Sequence, residues 1–208
     1  MSAVERGRLI VVSAPSGAGK TTLVHEIIRR RPETRFSISY TTRPPRESEQ
    51  NGKDYFFVGE VEFETMRATD AFLESARVFD HWYGTSRGHV ESLLSQGDTV
   101  LLEIDWQGAA QVRSTAPETI GIFILPPSRE ELERRLRYRG TDSKDVIQRR
   151  LRDALTDMVH WQEFDYLLVS DDVERSADVF EAILEGRGGE NRVSSPAIRE
   201  RAERILRC

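Results

Sequence analysis

A glycine-rich segment near the start of the chain, Ala14-Pro15-Ser16-Gly17-Ala18-Gly19-Lys20-Thr21, constrains the fold more than any other feature. It follows an apolar run at 9–12, which predicts a short buried strand. Apolar residues at helical spacing then predict a helix over 21–31, which stops at Pro32. Strand, glycine-rich turn and helix in this order are typical of a phosphate-binding loop. The strict pattern begins with glycine, where this chain has Ala14.

The chemistry of such a loop is directed at a nucleoside triphosphate. Backbone N–H groups surround the β-phosphate, and the helix N-terminus adds its positive end. Lys20 is expected to bridge the β- and γ-phosphates, and the Thr21 hydroxyl to bind the Mg²⁺ that ATP carries. The loop alone does not separate kinases from GTPases or ATPases. We assign the nucleoside-triphosphate site to Ala14, Pro15, Ser16, Gly17, Ala18, Gly19, Lys20, Thr21 and Thr22.

Composition narrows the possible partners. The net charge of −5 argues against a nucleic-acid partner, and the apolar runs are too short to predict a membrane span. The single cysteine, Cys208, excludes an internal disulfide and predicts a cytoplasmic location. The four histidines show no metal-ligand spacing, so we expect no metal beyond Mg²⁺ with ATP. The sequence is compatible with a monomer or a homo-oligomer.

Strands are predicted at 36–40, 99–104, 119–125 and 166–170, and helices at 86–96, 128–138, 143–163 and 173–184, with a short basic helix from 195 to the C-terminus. Ser128, followed by Glu131 three residues later, forms a capping box that starts the helix over 128–138. This alternation of strands and helices favours an α/β fold with a parallel sheet covered on both sides. The region 37–87 breaks this alternation and is predicted to be an inserted mixed lobe. We predict a single domain over 1–186, with a basic tail at 187–208 whose removal after Gly188 should change folding and activity little. Its predicted parts are a core at 1–36, 88–126 and 152–186, the lobe at 37–87 and a lid at 127–151.

Arginines are grouped in two stretches. A kinase whose acceptor is itself a phosphate has to bring two polyanions together, and the rigid guanidinium fork suits phosphate oxygens. One stretch lies at 39–55, and the other at 134–150. In the second, Arg134 and Arg137 are explained by nearby glutamates on a solvated helix face. Arg135 and Arg139 are spaced i,i+4 and end against a glycine that could act as a hinge.

Many short segments, in order along the chain, resemble the guanylate kinase family. The resemblance covers roughly residues 8–185 and is more specific than the phosphate loop alone. The matching segments are 14–21, 36–46, 51–55, 72–74, 83–85, 102–108, 126–128, 135–140 and 171–172.

This resemblance implies the fold and a role for each site residue. The fold would be the P-loop nucleoside-monophosphate kinase fold with a GMP-binding lobe and a small lid. The activity would be transfer of the γ-phosphoryl group of ATP to GMP, in purine nucleotide metabolism. The GMP site would comprise Ser39, Arg43, Arg46, Tyr55, Glu74, Tyr83, Gly84, Thr85 and Asp105. The catalytic residues would be Lys20, Arg43, Arg139 and Arg150, and Arg135 and Arg139 would also lie at the ATP.

The proposed base readers agree with the chemistry of guanine. Guanine presents N1–H and an exocyclic amino group as adjacent donors, which carboxylates such as Glu74 and Asp105 accept. Adenine presents an acceptor at N1, and an opposed buried acceptor is costly. Because Asp105 follows a predicted strand, it could instead lie on the Mg²⁺ side, and Glu103 competes for that role. We favour Asp105 at the base and Glu103 nearer the phosphates.

Two other functions fit parts of the sequence. A sugar-phosphate kinase of the same fold, acting on a substrate such as ribose 1,5-bisphosphate, would not need Glu74 and Asp105. A guanylate-kinase-like module that binds phosphopeptides would not need Lys20 and Thr21. If the chain is a kinase that phosphorylates GMP, dGMP is a second candidate acceptor.

Overall fold

The computed structural model describes residues 5–78, 80–138 and 144–207. The strands are, in chain order, β1 Leu9–Ser13, β2 Thr34–Phe36, β3 Tyr40–Thr41, β4 Phe56–Phe57, β5 Phe72–Val78, β6 His81–Ser86, β7 Thr99–Glu103, β8 Ile120–Leu125 and β9 Tyr166–Val169. The helices are α1 Lys20–Arg30, α2 Glu60–Ala68, α3 Arg87–Ser95, α4 Trp106–Thr115, α5 Arg129–Tyr138, α6 Lys144–Met158, α7 Val173–Leu184 and α8 Pro196–Arg207.

The described chain divides into two compact units. The first comprises residues 5–11 and 32–119, and the second comprises 12–31 and 120–207. The first unit has strands in the order β2-β7-β1, where β2 and β7 pair in parallel, and a separate mixed sheet in the order β4-β3-β6-β5. Central strand β7 is buried at Val100, Leu101 and Leu102, as its continuous apolar run predicts.

The second unit continues from the last residues of β1, with the strand order β1-β8-β9. Strands β8 and β9 pair in parallel, and the side chains of residues 122–125 on β8 are fully buried. Helix α1 packs on α7, where Arg30 forms ion pairs with Glu174, Asp178 and Glu181. The parallel sheet with helices and the additional mixed sheet confirm the predicted α/β architecture.

Several predicted boundaries differ from the structure. The strand predicted over 36–40 is two strands, because β2 ends at Phe36 and β3 begins at Tyr40. The long helix predicted over 143–163 ends at Met158 and continues as the 3-10 turn Val159–Glu163. Helix α5 begins as predicted, since the Ser128 hydroxyl accepts a hydrogen bond from the Glu131 N–H at 3.1 Å.

The C-terminal segment packs on the second unit through α8. Ile198, Ala202 and Ile205 are buried on one face of this helix. Arg201 forms a 3.1 Å ion pair with Asp171, and Arg129 donates to the carbonyl of Leu206. Removal of α8 would expose the apolar surface on which it packs. These contacts therefore argue against the prediction that the tail can be removed with little effect.

Candidate functional site

The phosphate loop lies in the second unit and connects β1 to α1. Gly17 and Gly19 have φ angles of +90° and +91°, in the left-handed region that favours glycine. A Cβ on Gly17 would also lie 2.9 Å from Leu136 Cδ2, so steric space reinforces the conformational requirement. Gly19 is the residue before the first helical residue, Lys20, so the positive N-terminal end of α1 lies immediately after the loop.

Two side chains hold the loop from outside. The carbonyl oxygen of Ala18 accepts a hydrogen bond from Arg135 Nη1 at 3.1 Å and another from Ser170 Oγ at 2.6 Å. Arg135 also donates from Nη1 to Ser170 Oγ at 3.0 Å and from Nη2 to the Ser170 carbonyl at 2.7 Å. On its remaining side, Arg135 Nε donates to Glu131 at 2.7 Å. Hydrogen bonds from Arg134 and Arg135 lower the pKa of Glu131 to about 2.

A cavity of about 410 Å³ adjoins the loop within the second unit. Its walls come from the loop, the beginning of α1, helix α5 and the segment after β9, and include Gly17, Gly19, Thr22, Arg134, Asp171 and Val173. Lys20 is half-buried at the start of α1, and Thr21 and Thr22 are exposed beside it. A cavity next to the backbone donors of the loop can receive a nucleotide whose phosphates lie on the loop.

Two carboxylates approach each other in the first unit. Glu74 lies on β5 with only 4% of its surface exposed, and its Oε1 accepts a 2.6 Å hydrogen bond from the Thr85 hydroxyl. The strand register places Thr85 directly opposite, on β6. Asp105 precedes α4 and accepts a 2.7 Å hydrogen bond from the Gly108 N–H, which caps that helix.

Gly108 shows how close these carboxylates come. A Cβ at this position would lie 2.5 Å from Glu74 Oε2 and 3.3 Å from Asp105 Oδ1. The two acidic groups therefore lie against the same face of one glycine, although they are about thirty residues apart in sequence. Glycine is required there, because any side chain would displace the buried Glu74 carboxylate.

Arg43 forms the centre of a cationic cluster, also in the first unit. Its Nη2 donates to both carboxylate oxygens of Glu49, at 2.8 and 2.9 Å. Its Nε donates to the Tyr83 hydroxyl at 3.3 Å, and its Nη1 to the Pro44 carbonyl at 2.8 Å. The guanidinium carbon lies 5.5 Å from the centre of the Tyr55 ring. Burial, and then the charge of Glu103, raise the pKa of Tyr55 to about 12, so its hydroxyl keeps the proton that it could donate to an anion.

Glu49 was not predicted from the sequence as a site residue. Its Oε2 also accepts a 2.8 Å hydrogen bond from the Arg46 N–H, while the Arg46 side chain, which is 60% exposed, has its Nη1 3.6 Å from Glu49 Oε1. Burial alone would raise the pKa of Glu49, but hydrogen bonds from Arg43 and the Arg46 backbone lower it. An acidic residue in a polar loop carries no periodic signal, and the only hint was its position three residues after Arg46.

The remaining predicted residues have the following positions. Ser39 is half-buried, and its carbonyl accepts a 2.9 Å hydrogen bond from Phe56. Gly84 leaves space for Phe72 and Phe63, whose ring atoms would lie 3.0–3.1 Å from a Cβ there. Glu103 ends β7, where its charge acts on Tyr55.

Three of the arginines in the predicted lid were expected to act at the substrates. Arg135 lies on α5, and Arg150 lies half-buried on α6. Arg139, predicted to be catalytic, lies outside the described residues, as does the proposed hinge at 140.

Comparison with known proteins gives consistent matches. The family model described as "Guanylate kinase" matches residues 6–187. The guanylate kinase of Alkalilimnicola ehrlichii is 53% identical over 178 residues, which are 86% of this chain and 88% of that protein. The guanylate kinase of Dechloromonas aromatica is 51% identical over 198 residues, 94% of this chain and 98% of that one. The crystal structure of guanylate kinase from Anaplasma phagocytophilum aligns with a TM-score of 0.74 at 34% identity, covering 88% of this chain and 87% of that chain.

Proposed function

This chain belongs to the guanylate kinase family, and we propose that it transfers the γ-phosphoryl group of ATP to GMP, giving ADP and GDP, through the residues described above. The observation that carries the choice of acceptor is the pair Glu74 and Asp105 against Gly108. The observation that carries the choice of donor is the phosphate loop, with Lys20 and Thr21 at the start of α1.

Guanine is read by the two carboxylates. Glu74 is fixed on one side by Thr85, and Asp105 by the N-terminus of α4, so both groups are held before the base arrives. Such preorganised acceptors suit the adjacent N1–H and amino donors of guanine. They would face the N1 acceptor of adenine unfavourably, which gives discrimination through a buried polar mismatch.

The phosphate of GMP is bound by the cationic cluster. Arg43 and Arg46 supply charge, Tyr55 and Tyr83 supply hydroxyl donors, and Ser39 lies on the adjoining segment. Glu49 holds Arg43 through a two-pronged ion pair that is largely buried, with 14% and 12% of the two side chains exposed. We assign Glu49 the role of orienting Arg43, so that the guanidinium charge is held beside the hydroxyl groups of Tyr55 and Tyr83, where the acceptor phosphate is proposed to bind.

Phosphoryl transfer needs positioning and charge neutralisation rather than a general base. An oxygen of the GMP phosphate is already ionised and attacks the γ-phosphorus, and the bond to the bridging oxygen breaks so that its electron pair leaves with ADP. Lys20 and the arginines proposed as catalytic, Arg43, Arg139 and Arg150, stabilise the charge on the transferring group.

The residues at the loop fit a Mg²⁺ ion that ATP carries. Mg²⁺ prefers oxygen ligands and is commonly held by substrate phosphates with few protein groups. Thr21, an exposed residue in the first turn of α1, would supply such an oxygen ligand, and Glu103 is proposed to act indirectly. When bound, the ion neutralises phosphate charge. Within 5–78, 80–138 and 144–207, no group of three His, Cys, Asp or Glu side chains could hold a metal by itself.

The alternatives are not favoured. A sugar-phosphate kinase would not need the carboxylates of Glu74 and Asp105 side by side, and a peptide-binding module would not need Lys20 and Thr21 in a phosphate loop. The chain belongs to a family of nucleotide kinases, and a cytoplasmic role in purine nucleotide metabolism remains a prediction. Across the described residues, no helix is both long and apolar enough to traverse a bilayer.

One coupled assay tests this function. The protein is incubated with Mg²⁺ and ATP and with GMP, dGMP, AMP or ribose 1,5-bisphosphate, and ADP formation is followed. We expect fast turnover with GMP and much slower turnover with AMP and the sugar phosphate. Turnover with ribose 1,5-bisphosphate but not with GMP would contradict the proposal, as would nucleotide binding without any transfer.

A further inference from the structure

We propose that Ser170 is a positioning residue for ATP binding, which acts through the Ala18–Gly19 peptide of the phosphate loop. The inference rests on the proposed function, and it concerns a residue for which the sequence predicted no role. Ser170 follows β9 directly and lies at the wall of the cavity beside the loop.

The hydroxyl of Ser170 is turned toward protein carbonyls. Its Oγ lies 2.6 Å from the Ala18 carbonyl oxygen and 3.2 Å from that of Leu125, so it donates to the nearer one, and it accepts from Arg135 Nη1 at 3.0 Å. Arg135 reaches the same Ala18 carbonyl directly, at 3.1 Å. The carbonyl thus receives two hydrogen bonds, and the two donors are bonded to each other.

Because the peptide bond is rigid, the two hydrogen bonds to the Ala18 carbonyl also restrain the N–H group on the phosphate side of the loop. In a trans peptide the C=O and the following N–H point in opposite directions and lie in one plane. When the Ala18 carbonyl is held toward Ser170 and Arg135, the Gly19 N–H is turned away from them, into the loop. Gly19 has a φ of +91°, so its backbone has more freedom than that of a residue with a side chain, and an external restraint has more to fix.

A second feature of the geometry connects Ser170 to the arginine. Arg135 Nη2 donates to the Ser170 carbonyl, while Arg135 Nε is held by Glu131 on the same helix. The guanidinium is therefore held at both ends, and Ser170 accepts on two of its atoms. Loss of the hydroxyl would leave the Ala18 carbonyl with Arg135 as its partner and would remove the link between the two donors.

The test compares Ser170→Ala with the parent and with two controls. Ser170→Thr retains a hydroxyl, and Ser114→Ala removes a serine hydroxyl that donates to a backbone carbonyl at 2.7 Å far from the loop in sequence. We expect Ser170→Ala to raise KM for ATP about fivefold, the effect of one lost hydrogen bond, with KM for GMP and kcat changed less than about twofold. Ser170→Thr should recover most of the affinity, and Ser114→Ala should match the parent.

Two direct measurements separate this inference from the proposed function. Calorimetry with MgADP should show a comparable loss of affinity in Ser170→Ala, and the Gly19 amide resonance should shift less on MgADP binding than in the parent. If the parent fails to phosphorylate GMP, the function is wrong, yet the MgADP measurements still test the loop. Unchanged MgADP affinity in Ser170→Ala overturns the inference, and so does an equal loss for ATP and GMP with a lower melting temperature.

Discussion

Buried charge at single residues distinguishes the proposed acceptor site. Glu74 is almost completely buried, and Arg43 and Glu49 have little exposure, which is unusual for ionisable side chains unless they are paired. Each of the three has a specific partner, since Glu74 accepts from the Thr85 hydroxyl and Arg43 donates to Glu49. These residues are therefore built into the fold around the expected ligand rather than placed on its surface.

Some of these residues could be identified from the sequence and others could not. Glu74 and Asp105 were predicted as site residues because short motifs around them match a family and because guanine offers two adjacent donors. Glu49 and Ser170 have no such signal, since their roles depend on which backbone and side-chain groups the fold brings to them. The Ser170 hydroxyl donates to a carbonyl more than a hundred residues away in sequence, and no local spacing of residues indicates such a contact.

The role of Glu49 gives the first prediction. Glu49→Gln keeps the size and an acceptor oxygen but removes the charge that orients Arg43. We expect KM for GMP and for AMP to rise together, by about tenfold, corresponding to one charge-assisted hydrogen bond. The ratio of kcat/KM between the two acceptors should remain that of the parent.

Glu49→Asp serves as the conservative control, and melting temperatures show whether the fold is intact. A lower KM for GMP in Glu49→Gln would contradict the orienting role. It would mean that the carboxylate competes with the acceptor phosphate for Arg43.

At the scale of elements, the phosphate loop, strand β1 and helices α1, α5 and α7 were predicted with nearly correct bounds. Their signals are strong, because apolar periodicity, capping residues and glycines agree with one another. Helix α4 was missed, since it contains Gly108 and few apolar residues. Its glycine lowers helix propensity, but the same glycine makes room for Glu74.

Strands β5 and β6 were also not predicted, although they carry Glu74, Tyr83 and Thr85. Strand β6 is polar and contains Gly84, so it lacks the alternation that identifies a strand. Its structure comes from pairing with β5 and β3, which a local pattern does not reveal.

Helix α5 gives the second prediction, through the ion pairs of Glu131 with Arg134 and Arg135. Its folded-state pKa of about 2 lies below the ordinary value of 4.5, so this carboxylate favours the folded state when ionised. That contribution is complete above pH 4.5 and is lost as the pH falls toward 2. Glu131→Gln should therefore be less stable than the parent near neutral pH, with a difference that shrinks between pH 4.5 and 2.

Chemical denaturation at a series of pH values measures this difference. Circular dichroism must first show that the parent remains folded at the acidic end without denaturant. A difference in unfolding free energy that stays constant from pH 7 to the lowest usable value would show that the ionised carboxylate does not contribute.

At the scale of the whole molecule, α8 extends the fold beyond the segment that the family model matches. That match ends at residue 187, whereas α8 spans Pro196–Arg207 and buries one apolar face in the second unit. The sequence indicated a short helix here, but charge alone suggested a solvated tail. Three buried side chains at helical spacing, Ile198, Ala202 and Ile205, were the overlooked signal.

The third prediction concerns this helix. Ile205→Ala should lower the free energy of unfolding by about 2–4 kcal/mol, because it leaves a cavity where a buried side chain packs. Truncation after Gly188 should lower the melting temperature further. Thermal and denaturant unfolding measure both effects, with the exposed Arg204→Ala as the matched control on the same helix.

A truncated protein with the parent's melting temperature would contradict the packing of α8. Equal free energies of unfolding for Ile205→Ala and Arg204→Ala would contradict the burial of Ile205.

We propose that Glu74 recognises the base and that the cationic cluster around Arg43 and Arg46 binds the phosphate. The most direct test is to measure kcat/KM for GMP and for AMP in Glu74→Gln and in Arg46→Ala. Glu74→Gln replaces an acceptor oxygen with an amide donor, so GMP should lose about 1.5–3 kcal/mol and the preference over AMP should narrow. Arg46→Ala removes a phosphate contact common to both nucleotides, so both should weaken while the preference holds. A Glu74→Gln enzyme with the parent's GMP-to-AMP ratio would contradict the account.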